Sequence, residues 1–183
     1  MRDVVLYSLL SLDGVAEEPG NWMFEADDDV FGNLARVIGT QTDVVLGRGT
    51  YDYWAGYWPG SDVQPFADFI NRRPKHVFTS TPLTPPWAGA RVADDGPGSY
   101  LRKLADGPGA DIGVHGSIAL ARALLAADLV DRMELVVVPT LAGSGRRLLA
   151  DATETRRLEL ADVARSETGC LFLSYRRGAR GPV

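Results

Sequence analysis

The chain has 183 residues, 45% of them hydrophobic and 23% charged, with a formal net charge of −5, the profile of a globular protein. Its basic residues are scattered, so it lacks the basic stripe of a nucleic-acid binder. The lone cysteine, Cys170, rules out an intrachain disulfide or a thiolate metal cluster.

No window approaches the ~20 apolar residues of a membrane span. Residues 1–12 lack the basic-then-apolar pattern of a secretory leader, so a cytoplasmic protein is expected. All basic residues but Lys75 and Lys103 are arginines.

In chain order, residues 4–12 form a β-rich apolar run that ends at the turn signal Asp13-Gly14. Residues 17–21 read as loop. Residues 26–38 read as a helix, with Val30, Phe31, Leu34, Val37 and Ile38 on one face and acids at its start. A short strand over 43–46 runs into Gly47-Arg48-Gly49-Thr50, followed by a helical turn through Tyr51 and Trp54 and a loop around Trp58. Residues 66–70 read as helix, 76–80 as strand and 99–105 as helix. Residues 111–115 form the next strand, Gly116-Ser117 a junction, and 118–129 a helix with Ile118, Ala121, Leu125 and Leu129 inward. A strand over 133–139 leads into the Gly-rich loop 142–145. Residues 157–163 and 171–175 close the chain as an antiparallel hairpin.

Strands alternating with helices, then two consecutive strands, predict a mostly parallel α/β sheet with helices on both faces and an antiparallel edge. Residues 1–177 are expected to form one domain, and 178–183 a flexible tail.

Several chemistries are excluded by missing motifs. Neither lysine stands in a P-loop, and no GxGxxG follows the first strand. Neither histidine stands in a zinc-deaminase signature, and the G-x-S-x-G elbow of α/β-hydrolases is absent.

What is present is a pair of strand-to-helix junctions, Leu46-Gly47-Arg48-Gly49-Thr50-Tyr51 and Val114-His115-Gly116-Ser117-Ile118. Glycine lets backbone approach a ligand closely, and the free N–H groups of a new helix attract an anion. Arg48 and Thr50 add a cation and a hydroxyl suited to phosphate. Ordinary helix capping after a strand explains the same residues equally well.

The motif Gly47-Arg48-x-Thr50-Tyr51 resembles the Gly-Arg-x-Thr-aromatic motif of dihydrofolate reductases. Ser11-Leu12-Asp13-Gly14 resembles the opening of the reductase domain in riboflavin-biosynthesis deaminase-reductases. Gly116-Ser117, Ala121, Leu125, Leu129-Val130-Asp131, Pro139, Gly143 and Gly145 are similar to the second half of that domain, and 169–175 to its last strand. The similarity runs from Val4 to Arg176.

The resemblance implies a three-layer dihydrofolate-reductase-like fold, an NADPH cofactor and a homodimer. Gly47, Arg48, Gly49 and Thr50 would hold the phosphates and the adenosine end. Thr79, Ser80 and Thr81 would lie near the 2′-phosphate. Gly116, Ser117 and Ile118 would cradle the pyrophosphate and the nicotinamide side. Dihydrofolate reductases carry consecutive glycines at that junction, and His115 stands in the first of those positions. His115 is either a catalytic acid or a junction histidine satisfied by a local hydrogen bond.

On the substrate side, Asp13 is the candidate catalytic and substrate-binding acid, with a plain Asp-Gly turn as the alternative. Glu25 opens the first helix with Asp27 and Asp28, where the resembled family carries a substrate-binding acid. Trp22, Tyr51 and Trp58 are candidate walls for a flat ring; core packing is the alternative for each. The expected activity is NADPH-dependent reduction of a dihydrofolate- or pterin-like substrate, or of a 5-amino-6-(5-phosphoribosylamino)uracil-like one. The alternative is a non-catalytic, ligand-binding member of the same fold.

Overall fold

Residues 1–150 and 155–178 are described by a computed structural model of the chain. Its strands are β1 (Val4–Ser11), β2 (Gln41–Gly47), β3 (Lys75–Phe78), β4 (Ala90–Val92), β5 (Asp111–Val114), β6 (Arg132–Val138), β7 (Leu158–Arg165) and β8 (Leu171–Arg177). Its α-helices are α1 (Asp28–Gly39), α2 (Arg48–Tyr57), α3 (Phe66–Arg72), α4 (Pro97–Asp106) and α5 (Ile118–Ala126).

The strands join in one eight-stranded sheet, ordered β4–β3–β2–β5–β1–β6–β8–β7. β4, β3, β2, β5, β1 and β6 are mutually parallel, whereas β8 runs antiparallel to both β6 and β7. The architecture is the three-layer α/β arrangement expected. Along β2, Val44 and Leu46 pack with α1, α2 and α3, while Val45 joins the opposite core with α4 and α5. Such two-sided burial is what an apolar strand run encodes.

Boundaries shift for identifiable reasons. Helix α1 starts at Asp28 rather than residue 26, because the Asp27 carboxylate caps it by accepting from Val30 N at 2.9 Å. Helix α5 buries Leu120, Ala121 and Leu124, whereas Ile118 and Leu125 are half-exposed. Its sequence IALARALLA is apolar nearly all round, so periodicity could not fix the inward face. Strand β4 escaped prediction because it has only three residues. Most of the expected flexible tail, from residue 179 on, lies outside the described residues.

Parallel order places the carboxyl ends of β1, β2 and β5 at one end of the sheet. The chain lays down β1 and β2 first and later inserts β5 between them. Ligands of open α/β sheets bind at such a switch point, outside the carboxyl ends.

Candidate functional site

The two glycine junctions meet at this switch point. Gly47 N–H donates to the Gly116 carbonyl at 3.0 Å. A Cβ at Gly47 would lie 2.3 Å from Ser117 Oγ, and one at Gly116 would lie 2.7 Å from Thr50 Oγ1. Both positions therefore require glycine for close approach, and Gly116 also has φ 138°, where side chains are disfavoured. The Gly116–Ser117 peptide is cis.

The two helix starts differ. Ser117 caps α5 by accepting from Leu120 N at 3.3 Å. Helix α2 begins after Gly47 with no side-chain cap, and a Cβ at Gly49 would meet nothing within 4 Å. Open first-turn N–H groups beside open space suit an anion.

Arg48 reaches from this helix start to the turn after β3. Its guanidinium donates to the Thr81 hydroxyl and to the Pro82 carbonyl at 3.0 Å, and it pairs with Asp52 at 2.6 Å. The Thr79 hydroxyl accepts from Thr81 N at 3.2 Å, and Ser80 is exposed. Arg48, Thr50, Thr79, Ser80 and Thr81, separated in sequence, therefore occupy one neighbourhood beside Gly116, Ser117 and the half-exposed Ile118.

The substrate-side expectations fare differently. The Asp13 carboxylate accepts from Ser11 Oγ at 2.7 Å, Ala142 N at 2.9 Å, Gly143 N at 3.1 Å and an Arg147 N–H at 3.2 Å. The Ser11 hydroxyl and the Ala142 and Gly143 N–H groups hold its pKa down at about 2. Asp13 is an anionic clamp between the β1 turn and loop 142–145, and this geometry does not make it a proton donor.

Trp22 is 4% exposed, packs in the core and donates its indole N–H to the Glu17 carbonyl at 2.8 Å. Tyr51 is fully buried and donates to the Pro85 carbonyl at 2.6 Å. Neither ring is open to a substrate; burial of their apolar surface against neighbouring elements took precedence. Trp58 is half-buried in an edge-to-face cluster with Trp54, Tyr57 and Phe66, at centroid distances of 5.9, 4.9 and 4.8 Å. Glu25 is exposed in the loop before α1.

Two polar arrangements were not foreseen. Asp43, His76 and Tyr100 form a chain through the buried imidazole, with contacts of 2.9 Å to Asp43 Oδ1 and 2.7 Å to the Tyr100 hydroxyl. Gln41, fully buried, meets His115 Nε2 through its Oε1 at 2.7 Å. Burial pushes the His115 pKa down to about 3, so the ring is neutral at pH 7. Gly113 makes room for this contact, since a Cβ there would lie 2.0 Å from Gln41 Oε1. No sequence pattern ties Gln41 to His115; only the pairing of β2 with β5 does.

Among solved structures, the fold matches a putative riboflavin biosynthesis protein from Shewanella sp. PV-4 at TM-score 0.79 and 16% identity, covering 98% of this chain and 100% of that one. It also matches the diaminohydroxyphosphoribosylaminopyrimidine deaminase/5-amino-6-(5-phosphoribosylamino)uracil reductase of Thermotoga maritima at TM-score 0.69 and 18% identity. That match covers 97% of this chain but 57% of the larger protein. Relatives in sequence include the uncharacterized protein YwjB of Bacillus subtilis, 28% identical over 87% of this chain and 89% of that one. The uncharacterized protein YyaP of the same organism is 24% identical over 95% and 94%. The family model described as the RibD C-terminal domain matches residues 2–172. With the match running over nearly its whole length and the fold agreeing, the chain belongs to the RibD C-terminal domain family.

Proposed function

We propose that this chain is a cytoplasmic NADPH-dependent oxidoreductase. Its substrate is a small heterocycle, dihydrofolate- or pterin-like or 5-amino-6-(5-phosphoribosylamino)uracil-like. The observation that carries the reading is the meeting of two glycine-tight junctions at the switch point, one opening on an uncapped helix N-terminus. The donor set suits a dinucleotide phosphate: open N–H groups at the start of α2, the Arg48 guanidinium, and the hydroxyls of Thr50, Thr79, Ser80 and Thr81.

When bound there, NADPH would supply the hydride. Gly47, Arg48, Gly49 and Thr50 would bind phosphate, and Thr79 to Thr81 would select the 2′-phosphorylated form. Gly116, Ser117 and Ile118 would cradle the pyrophosphate and the nicotinamide side. The clamp of Asp13 on loop 142–145 would keep that loop positioned beside the cleft.

The test is thermal denaturation with NADPH, with NADH and without ligand. At 100 times the dissociation constant, binding adds about 2.7 kcal/mol, or roughly 5–10 °C for a domain of this size. A shift with NADPH well above that with NADH is expected. No shift with either rejects the reading.

A non-catalytic ligand-binding role is favoured by one observation, the full engagement of Asp13 by hydrogen-bond donors. It predicts cofactor binding without oxidation over a panel of folates, pterins and ribosylaminopyrimidines; turnover of any of them rejects it.

A homodimer is also proposed. Edge strand β7 is exposed along all eight residues, and Leu158, Leu160 and Val163 lie uncovered there. Light scattering should give twice the 19.8 kDa chain mass, falling towards the monomer in Val163→Lys. A monomeric wild type rejects the dimer.

A further inference from the structure

The buried amide of Gln41 is unusual in one respect. Its Oε1 accepts from His115 Nε2, but its Nε2 is buried with no hydrogen-bond partner among the described residues. A buried polar side chain left half-satisfied is disfavoured, so its presence in the sheet core calls for a role. The backbone is adapted to it, because Gly113 leaves the space the amide fills.

What the amide does is fix the imidazole. With Gln41 Oε1 facing the ring, Nε2 of neutral His115 must carry the proton, and Nδ1 becomes an acceptor. Among the described residues Nδ1 has no hydrogen-bond partner, and it is not sealed from solvent. The ring sits between Tyr7, Phe66 and Phe69, at centroid distances of 5.8, 5.3 and 5.7 Å. Of these, Phe66 and Phe69 are buried, while Tyr7 and His115 are half-buried. The side of the sheet next to the Gly116-Ser117 junction therefore presents two aromatic surfaces and one lone pair.

We propose that His115 is a substrate-contacting residue whose Nδ1 accepts a hydrogen bond from an N–H of a flat nitrogen heterocycle, with Gln41 as the positioning residue that locks its tautomer. The proposal rests on the reductase reading for the direction from which the ligand enters. Its test does not depend on turnover.

The chain has only two histidines, His76 and His115, so nitrogen-15 spectra of the imidazoles are readily assigned with a His115→Asn variant. His115 is expected as the neutral Nε2–H tautomer, with that preference lost in Gln41→Leu. Titration with 5,6-diaminouracil, the base portion of the uracil-type substrate, should shift the Nδ1 resonance. Its binding should weaken about tenfold or more in His115→Leu and recover to within a few-fold of wild type in His115→Asn, whose amide oxygen can replace Nδ1. The NADPH-induced thermal shift should be the same in all three proteins. A charged or Nδ1–H imidazole at pH 7 overturns the proposal, as does equal diaminouracil binding by wild type and a folded His115→Leu. If His115→Leu does not fold, the wild-type tautomer and the Nδ1 response to diaminouracil decide the matter. A protein that ignores NADPH yet shows that response refutes the cofactor reading and supports this one.

Discussion

The N–H of Gly47 donates to the carbonyl of Gly116 at 3.0 Å, tying together two junctions 69 residues apart in sequence. Neither position has space for a methyl group, because Ser117 Oγ and Thr50 Oγ1 stand 2.3 and 2.7 Å from where each Cβ would be. Gly47→Ala is expected to cost about 1–3 kcal/mol by overpacking, lowering the melting temperature by roughly 2–10 °C. Ser117→Gly in the same chain should restore part of that loss. An unchanged melting temperature in Gly47→Ala would show that the junctions do not pack this closely.

Arg48 is partly exposed, and its main anchors are Asp52 and the Thr81–Pro82 turn. Arg48→Ala should leave stability within about 0.5 kcal/mol of wild type. Loss of a charge-assisted phosphate contact worth about 1.5–3 kcal/mol should raise the NADPH dissociation constant at least tenfold. Asp52→Asn should do the reverse by freeing the guanidinium. Isothermal titration of both variants checks the pair, and unchanged affinity in Arg48→Ala removes it from the site.

Acid stability should depend on two half-buried carboxylates, Asp13 and Asp27. Hydrogen bonds hold Asp13 and Asp27 at about 2, through the Ser11 hydroxyl first for Asp13 and the Thr168 hydroxyl first for Asp27. Both folded values lie below the ordinary 3.8, so the stabilisation is complete above pH ~4 and lost as pH falls towards 2. Melting curves should show Asp13→Asn less stable than wild type at pH 7, with the difference shrinking on acidification. A difference independent of pH would contradict the clamp.

Lys75 should act at the alkaline end. Its ammonium is buried, donates to the Ile70 and Arg73 carbonyls at 2.7 and 2.8 Å, and lies 4.5 Å from the Trp87 ring centre. Burial lowers its pKa from 10.5 to about 8. The unfolded chain therefore holds more protons between those values, and stability rises with pH across that window. Relative to Lys75→Met, wild type should gain stability from pH 8 to 10.5 in denaturant titrations. A constant difference between the two would show that the amine titrates normally.

Local chemistry made much of the fold readable. Apolar runs, the Gly47 and Gly116 junctions and the acid-rich start of α1 each carry their own signal within a few residues, because backbone geometry and capping act over that range. The sequence by itself thus determined the alternation of strands and helices, the antiparallel end and the two glycine-lined junctions. Only the tertiary structure decided what those elements bring together. Insertion of β5 between β1 and β2 set Gly47 against Gly116 and Gln41 against His115, contacts between residues far apart in the chain. Packing beside β6 and β8 withdrew Trp22 into the core, packing against β2, β3 and α3 withdrew Tyr51, and the pairing of β1 with β6 brought Asp13 to loop 142–145. Sequence pattern names a side chain's chemistry; its neighbours, and hence its solvation and charge, are set by long-range packing that no local spacing encodes.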